Sequence, residues 1–200
     1  MNAEMKVAVI KYNAGNTYSV ICALKQLGYE CVVTDDPALL HGADKVIFPG
    51  VGEASAAMTH LRQLGLDKVI RSLRQPVLGI CIGQQLLCRH SEEGDCECLG
   101  VFDADVLKFK TVNPEFRIPH TGWDTVELIK DSFMPSSISG NFLYYVHSYY
   151  VPVVTDTVAV TEYIVPFSAA MNHDNFYATQ FHPEKSGDVG SQVLKSFLEL

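Results

Sequence analysis

The first apolar run of the chain, Val7-Ala8-Val9-Ile10, has no polar position, as expected of a strand covered on both faces. After a turn at Asn13-Ala14-Gly15-Asn16 the apolar positions fall at helical spacing, Val20, Ile21, Leu24 and Leu27, with Asn16 as the cap and Gly28 as the stop. Cys31-Val32-Val33 predicts a second strand, and Lys45-Val46-Ile47-Phe48 a third that closes at Pro49-Gly50. Helical patterning returns over 54–64 and again through Val69 and Ile70. Val77-Leu78-Gly79-Ile80 reads as a fourth strand that runs without a linker into a helix from Ile82 to about His90. Strands alternating with helices predict an α/β fold with an open, mostly parallel sheet and helices on both faces.

The second half is richer in strand patterns: 125–128, 142–146, 157–163 and 176–180, followed by a closing helix over the last dozen residues. Sparse Gly and Pro between them mark turns, with no repeat and no linker. The expectation is a single domain over residues 1–200, its later strands adding antiparallel members to the sheet or flanking it.

Composition changes this picture little. Of 200 residues, 48% are hydrophobic, enough for a sizeable core, and the formal net charge is −8. An acidic surface repels phosphate backbones and anionic lipid, which argues against nucleic-acid and membrane partners. The first residues lack a basic stretch followed by a long apolar segment, and no apolar run nears the roughly 20 residues that span a bilayer. A cytoplasmic location is expected.

The six cysteines, at 22, 31, 81, 88, 96 and 98, are then thiols by default. Cys96-Glu97-Cys98 is spaced more tightly than a zinc knuckle and has no matching Cys/His pair, so no metal site is expected. Cys88 reads as core. Cys81 differs, because Gly79-Ile80-Cys81-Ile82-Gly83 places it at a strand–helix junction with a glycine two positions to either side. So sharp a turn strains the backbone at the nucleophile and needs neighbours without side chains, the logic of the hydrolase nucleophile elbow. A helix start favours thiolate, and the Ile82 N–H becomes available to an oxyanion.

A thiolate needs a base. Phe181-His182-Pro183-Glu184 supplies an imidazole and, two positions on, a carboxylate. In extended backbone these point to the same side, so Glu184 can hold one ring nitrogen while the other faces the sulfur. Alone, a His-x-Glu is more often an exposed polar pair.

Gly79-Ile80-Cys81-Ile82-Gly83-Gln84-Gln85, taken with Gln180-Phe181-His182-Pro183-Glu184-Lys185-Ser186, resembles the signature pair of the class I (triad) glutamine amidotransferases in order and separation. Four further segments resemble, within that superfamily, the glutaminase subunits of imidazole glycerol phosphate synthase, which serve histidine biosynthesis. They are Asn13-Ala14-Gly15-Asn16, Pro49-Gly50-Val51-Gly52, Pro119-His120-Thr121-Gly122-Trp123-Asp124 and Tyr145-Val146-His147-Ser148-Tyr149-Tyr150. Glutaminases serving pyridoxal phosphate, anthranilate, GMP or CTP synthesis carry other patterns at 49–53, and the latter three lack the Gly122-Trp123 segment.

The resemblance implies a flavodoxin-like glutamine amidotransferase fold that works without a cofactor. It implies that Cys81 attacks the glutamine carboxamide and that His182 protonates the departing ammonia, then activates water, with Glu184 orienting it. Glutamine binding falls by similarity on Gly50, Gly52, Gln85, Glu93, His147, Ser148 and Tyr149; Glu93 supplies the carboxylate an α-ammonium requires. By the sequence alone Glu93 reads as solvated and 145–150 as an aromatic-rich strand. Val51 offers the second oxyanion N–H, and glycines on either side let its peptide rotate, so partner and ligand binding could switch the hole.

The implied partner is a (β/α)8-barrel cyclase, bound as a heterodimer, that consumes the ammonia and PRFAR to give imidazole glycerol phosphate and AICAR. Asn16, Trp123 and Lys185 are placed near that interface. By its residue type alone, Trp123 fits a core position equally well. Ile82, Gln84 and Glu53-Ala54 depart from the commoner Leu, Met and Ala-Phe, and the 95–98 stretch is unusual. A glutaminase for another synthase, an inactive docking module and a cysteine peptidase are the alternatives.

Overall fold

A computed structural model describes residues 5–12 and 17–200. The turn at 13–16, with the Asn16 cap and its assignment to an interface, lies outside the described residues. The apolar runs of the first half become the strands β1 (Val7–Ile10), β2 (Cys31–Thr34), β3 (Lys45–Gly50) and β4 (Val77–Cys81). Between them lie α1 (Thr17–Gln26), α2 (Pro37–His41), α3 (Ala54–Gln63) and α4 (Leu66–Ser72). The sequence pattern missed α2, whose five residues are too few to show a period; Asp36 caps it by accepting from the Ala38 N–H at 2.8 Å.

Beyond β4 come α5 (Ile82–Leu87), β5 (His90–Ser91), β6 (Cys96–Glu97) and β7 (Asp105–Lys108). The helix expected to reach His90 stops three residues short, because Cys88 turns extended (φ −71°, ψ 179°) and the Arg89 N–H pairs with the Ala104 carbonyl. Here long-range strand pairing overrides a local apolar pattern. Next come β8 (His120–Thr125), β9 (Glu127–Leu128), β10 (Phe142–His147), β11 (Tyr149–Tyr150), β12 (Thr157–Glu162), β13 (Pro166–His173), β14 (Phe176–Thr179) and α6 (Gly187–Leu198).

The main sheet has the order β2-β1-β3-β4-β14-β13-β12-β9. Its first five strands are parallel, and β13, β12 and β9 follow as antiparallel pairings. The strand expected at 125–128 is two pieces: β9 joins the edge of this sheet, while β8 pairs with β10 in a separate ribbon. β11, β7, β5 and β6 form a third, four-stranded sheet.

Alternation along the parallel strands sends side chains into two cores. Ala8, Ile10, Val46, Phe48 and Val77 pack with Met58 and Leu61 of α3 and Leu66 and Ile70 of α4. Val7, Val9, Ile47, Leu78 and Ile80 pack on the other face with Val20 and Leu24 of α1 and Val193, Leu194 and Phe197 of α6. Burying such aliphatic side chains on both faces contributes about 1.5–3 kcal/mol each and fixes the register of the sheet. That register sets the site. It pairs Gly50 with Cys81 on one side and Thr179 with Ile80 on the other, so β3, β4 and β14 end together at the carboxyl edge of the sheet.

Candidate active site

Cys81 sits at the last position of β4 and directly precedes α5, with φ +56° and ψ −109°. A non-glycine residue at positive φ costs of the order of 1–3 kcal/mol, which the packing around it must hold. That packing leaves no room for side chains. A Cβ on Gly83 would lie 2.0 Å from the Phe48 carbonyl oxygen, and one on Gly50 would lie 1.9 Å from Ile82 Cγ2. Both glycines are therefore required by close approach of β3 to the elbow. Tyr12 clamps the same strand end, its hydroxyl donating to the Pro49 carbonyl at 2.8 Å.

The thiol opens on a cavity of about 270 Å³ lined by Val51, Gly52, Cys81, Ile82, Gln85, Glu93, Val146, His147, Ser148, Tyr149 and His182. It is smaller than the roughly 300–1,000 Å³ typical of drug-sized ligands, which suits a single amino acid. Of the positions expected from the sequence to bind glutamine, Gln85, Glu93, His147, Ser148, Tyr149 and Gly52 line this cavity. Gly50 lies beside Cys81 in the sheet register.

His182 is buried and Nδ1 lies 2.8 Å from Glu184 Oε1, whose side chain is buried too. The contact is the expected one, but the backbone is not the expected extended segment. Pro183–Lys185 forms a 3-10 turn, and the turn brings the carboxylate back to the ring. Nε2 of His182 is buried without a hydrogen-bond partner, and His182 lines the same cavity as Cys81. Burial opposes the imidazolium, yet the Cys81 thiolate and the Glu184 carboxylate outweigh it and push the pKa up to about 10.

Glu93 is half-buried, and Oε2 accepts from the Ala54 N–H at 2.9 Å, at the start of α3. Burial raises its pKa, while the bond from Ala54 works the other way. The solvated reading of Glu93 gives way to a carboxylate held against the end of the Val51–Glu53 loop. His147 Nδ1 lies 2.8 Å from the Tyr149 carbonyl and Nε2 3.2 Å from His120 Nδ1. Burial lowers the pKa of His147 to about 3, so the ring is neutral. Nδ1–H then donates to the carbonyl, and Nε2 accepts from His120. His120 stacks on Tyr163 with ring centroids 3.9 Å apart and reaches Asp124 at 3.5 Å.

Trp123 is 55% exposed, which decides between its two readings in favour of the surface. Its ring meets Tyr144 edge-on at 5.9 Å, and Tyr144 lies 6.4 Å from the His182 ring, so this surface borders the site. Lys185, on the 3-10 turn after His182, is partly exposed.

Sequence reasoning assigned no role to Gln180 or His120. Gln180 is fully buried, and Nε2 lies 3.7 Å from Cys81 Sγ. The alternation that placed His182 on the catalytic side places residue 180 there as well, and that was the available signal. No group of three His, Cys, Asp or Glu side chains among the described residues is arranged to hold a metal.

Comparison with known proteins accords with this geometry. The family described as Glutamine amidotransferase class-I matches residues 8–200. An imidazole glycerol phosphate synthase subunit HisH of Bacteroides fragilis (strain YCH46) is 59% identical over 98% of this chain and 100% of its own length. The protein of the same name from Idiomarina loihiensis is 42% identical over 98% of each chain. A solved glutamine amidotransferase superposes with a TM-score of 0.72 at 20% identity, over 96% of this chain and 97% of that one. From full-length similarity on a matching fold, the chain belongs to the class I glutamine amidotransferase family and, within it, to the HisH subunits of imidazole glycerol phosphate synthase.

Proposed function

We propose that residues 1–200 act as one glutaminase domain that hydrolyses glutamine through a thioester on Cys81 and delivers the ammonia to a (β/α)8-barrel cyclase. The observation that carries this reading is the convergence of Cys81, at its strained elbow, with His182 backed by Glu184, in one cavity of amino-acid size.

In the reaction Cys81 Sγ attacks the carboxamide carbon. The oxyanion takes N–H bonds from Ile82 and Val51. His182 gives its proton to the amide nitrogen, the C–N bond breaks and ammonia leaves. Neutral His182 then removes a proton from water, which attacks the thioester carbon; the S–C bond breaks, and glutamate and thiolate are restored. Glu184 holds the ring orientation through both halves. Glu93 receives the α-ammonium, while Gln85 and the 147–149 strand end bound the rest of the substrate.

Val51 is 38% exposed, and Gly52 next to it has φ +107° with nothing near the place of a Cβ. In this reading the peptide that joins Gly50 to Val51 rotates, and docking of the cyclase with PRFAR bound favours the orientation with the Val51 N–H turned to the oxyanion. Trp123, exposed, and Lys185, partly exposed, stand beside the site and form part of the docking face. The cyclase converts PRFAR and ammonia to imidazole glycerol phosphate and AICAR. The setting is cytoplasmic; no helix among the described residues is long and apolar enough to cross a membrane.

The test is glutamate release from glutamine by the chain alone and then with cyclase and PRFAR, with Cys81→Ala alongside. Low basal turnover, stimulation of roughly 10²-fold or more on completing the oxyanion hole, and loss of both in the variant are expected. Full-rate turnover by the isolated chain would refute the gating. Absence of hydrolysis in every mixture would reduce the chain to a docking module.

A further inference from the structure

The parallel register that pairs Thr179 with Ile80 carries Gln180 alongside Cys81, on the side opposite Gly50. Gln180 is fully buried, and the orientation of its amide follows from its neighbours. The Tyr149 carbonyl can only accept, so the Gln85 group 2.9 Å from it is the amino nitrogen, Nε2. The second hydrogen of that nitrogen meets Gln180 Oε1 at 2.9 Å. With its oxygen committed to Gln85, Gln180 turns Nε2 towards Cys81 Sγ at 3.7 Å.

We propose that Gln180 is a catalytic residue whose amide N–H donates to the Cys81 thiolate, and that Gln85 is a positioning residue that sets the direction of that donor. The proposal rests on Cys81 being the nucleophile. A hydrogen bond given to the sulfur favours thiolate over thiol, because only the thiolate accepts strongly. It is present before attack, weakens as the S–C bond forms and charge passes to the carbonyl oxygen, and returns as the thioester is cleaved. Gln180 therefore stabilises the thiolate both as nucleophile in the first step and as leaving group in the second. Gln85, expected from the sequence to hold substrate, spends both amino hydrogens on the protein.

The experiment measures the rate of Cys81 alkylation by iodoacetamide against pH, with the adduct followed by peptide mass spectrometry. It uses the full chain and its Gln180→Glu, Gln180→Leu and Gln85→Leu variants. Gln180→Glu keeps the acceptor for Gln85 and the packing but replaces the donor with a carboxylate oxygen. The midpoint should rise by about one unit in Gln180→Leu, further in Gln180→Glu, and less in Gln85→Leu. Alkylation at neutral pH should fall roughly tenfold or more in Gln180→Glu. If Gln180→Leu does not fold, the near-isosteric Glu variant decides alone. A reactive Cys81 whose midpoint is the same in wild type and Gln180→Glu would overturn the proposal while leaving the nucleophile intact. A wild-type Cys81 no more reactive than Cys96 would remove the nucleophile, and the proposal with it.

Discussion

Cys81 and the pair Cys96/Cys98 present the same side chain in opposite surroundings. In β6, which pairs antiparallel with β5 as a hairpin, and just after it, the thiols act as donors: Cys96 Sγ faces the Glu93 carbonyl at 3.7 Å and Cys98 Sγ faces the Cys96 carbonyl at 3.7 Å. Burial pushes the pKa of both up, further for Cys98, where the neighbouring Cys96 adds to it. Cys88, wholly buried against the Gln84 carbonyl at 3.5 Å, is pushed well up for the same reason. Cys81 also has a carbonyl in range, that of Val146, but at 4.0 Å, while a Gln180 N–H lies nearer and a cationic His182 borders the same cavity. Each of these thiols is at least partly buried. What distinguishes the elbow is the polarity of the groups that face the sulfur: carbonyl oxygens at Cys96, Cys98 and Cys88, but an amide N–H and an imidazole at Cys81.

The comparison breaks or holds first on turnover. His182→Gln should lower glutaminase kcat by roughly 10²–10⁴-fold, the usual worth of a positioned acid–base. Cys96→Ser and Cys98→Ser should leave kcat within about twofold in steady-state assays of glutamate release. A loss of similar size in both groups would mean that the hairpin thiols take part in the chemistry.

A smaller effect separates the backbones. A Cβ on Gly83 meets the Phe48 carbonyl oxygen at 2.0 Å, whereas at Gly100, beyond the hairpin, φ is +66° but nothing lies within 4 Å. Gly83→Ala should cost about 3 kcal/mol in urea unfolding, by forcing β3 away from the elbow. Gly100→Ala should cost about 1 kcal/mol, the strain of the left-handed backbone alone. Equal losses would mean that the elbow is looser than its contacts imply.

The same contrast explains what could be read from the sequence. The elbow announced itself because strand, nucleophile, glycines and helix are contiguous, so local rules suffice. β1, β3 and β4 were legible as unbroken apolar runs for the same reason. β13, the longest strand, was not: Phe167 to Met171 is buried without a break, yet Ser168, Ala169 and Ala170 carry no β-branched or alternating signal. Its strand character comes from the β12 and β14 partners on either side. The early end of α5 was hidden likewise, since it depends on pairing between residues 89 and 104.

Within the site, His182 and Glu184 could be paired by spacing, although the turn that joins them is 3-10 and not extended. Gln180 was quoted in the signature without a role, because a glutamine between a strand and a catalytic histidine has no distinctive chemistry until the sheet register sets it beside the sulfur. Trp123 fitted core and surface equally until its exposure was known.

The account stands on Cys81 being the one cysteine set up to attack a glutamine carboxamide. The direct measurement is covalent labelling by a glutamine analogue that carries a diazoketone in place of the carboxamide, mapped by peptide mass spectrometry with cyclase and PRFAR present. The account predicts a single adduct on Cys81, blocked by excess glutamine and lost in His182→Gln. Labelling of Cys96 or Cys98 at a comparable rate, or of Cys81 without protection by glutamine, would contradict it.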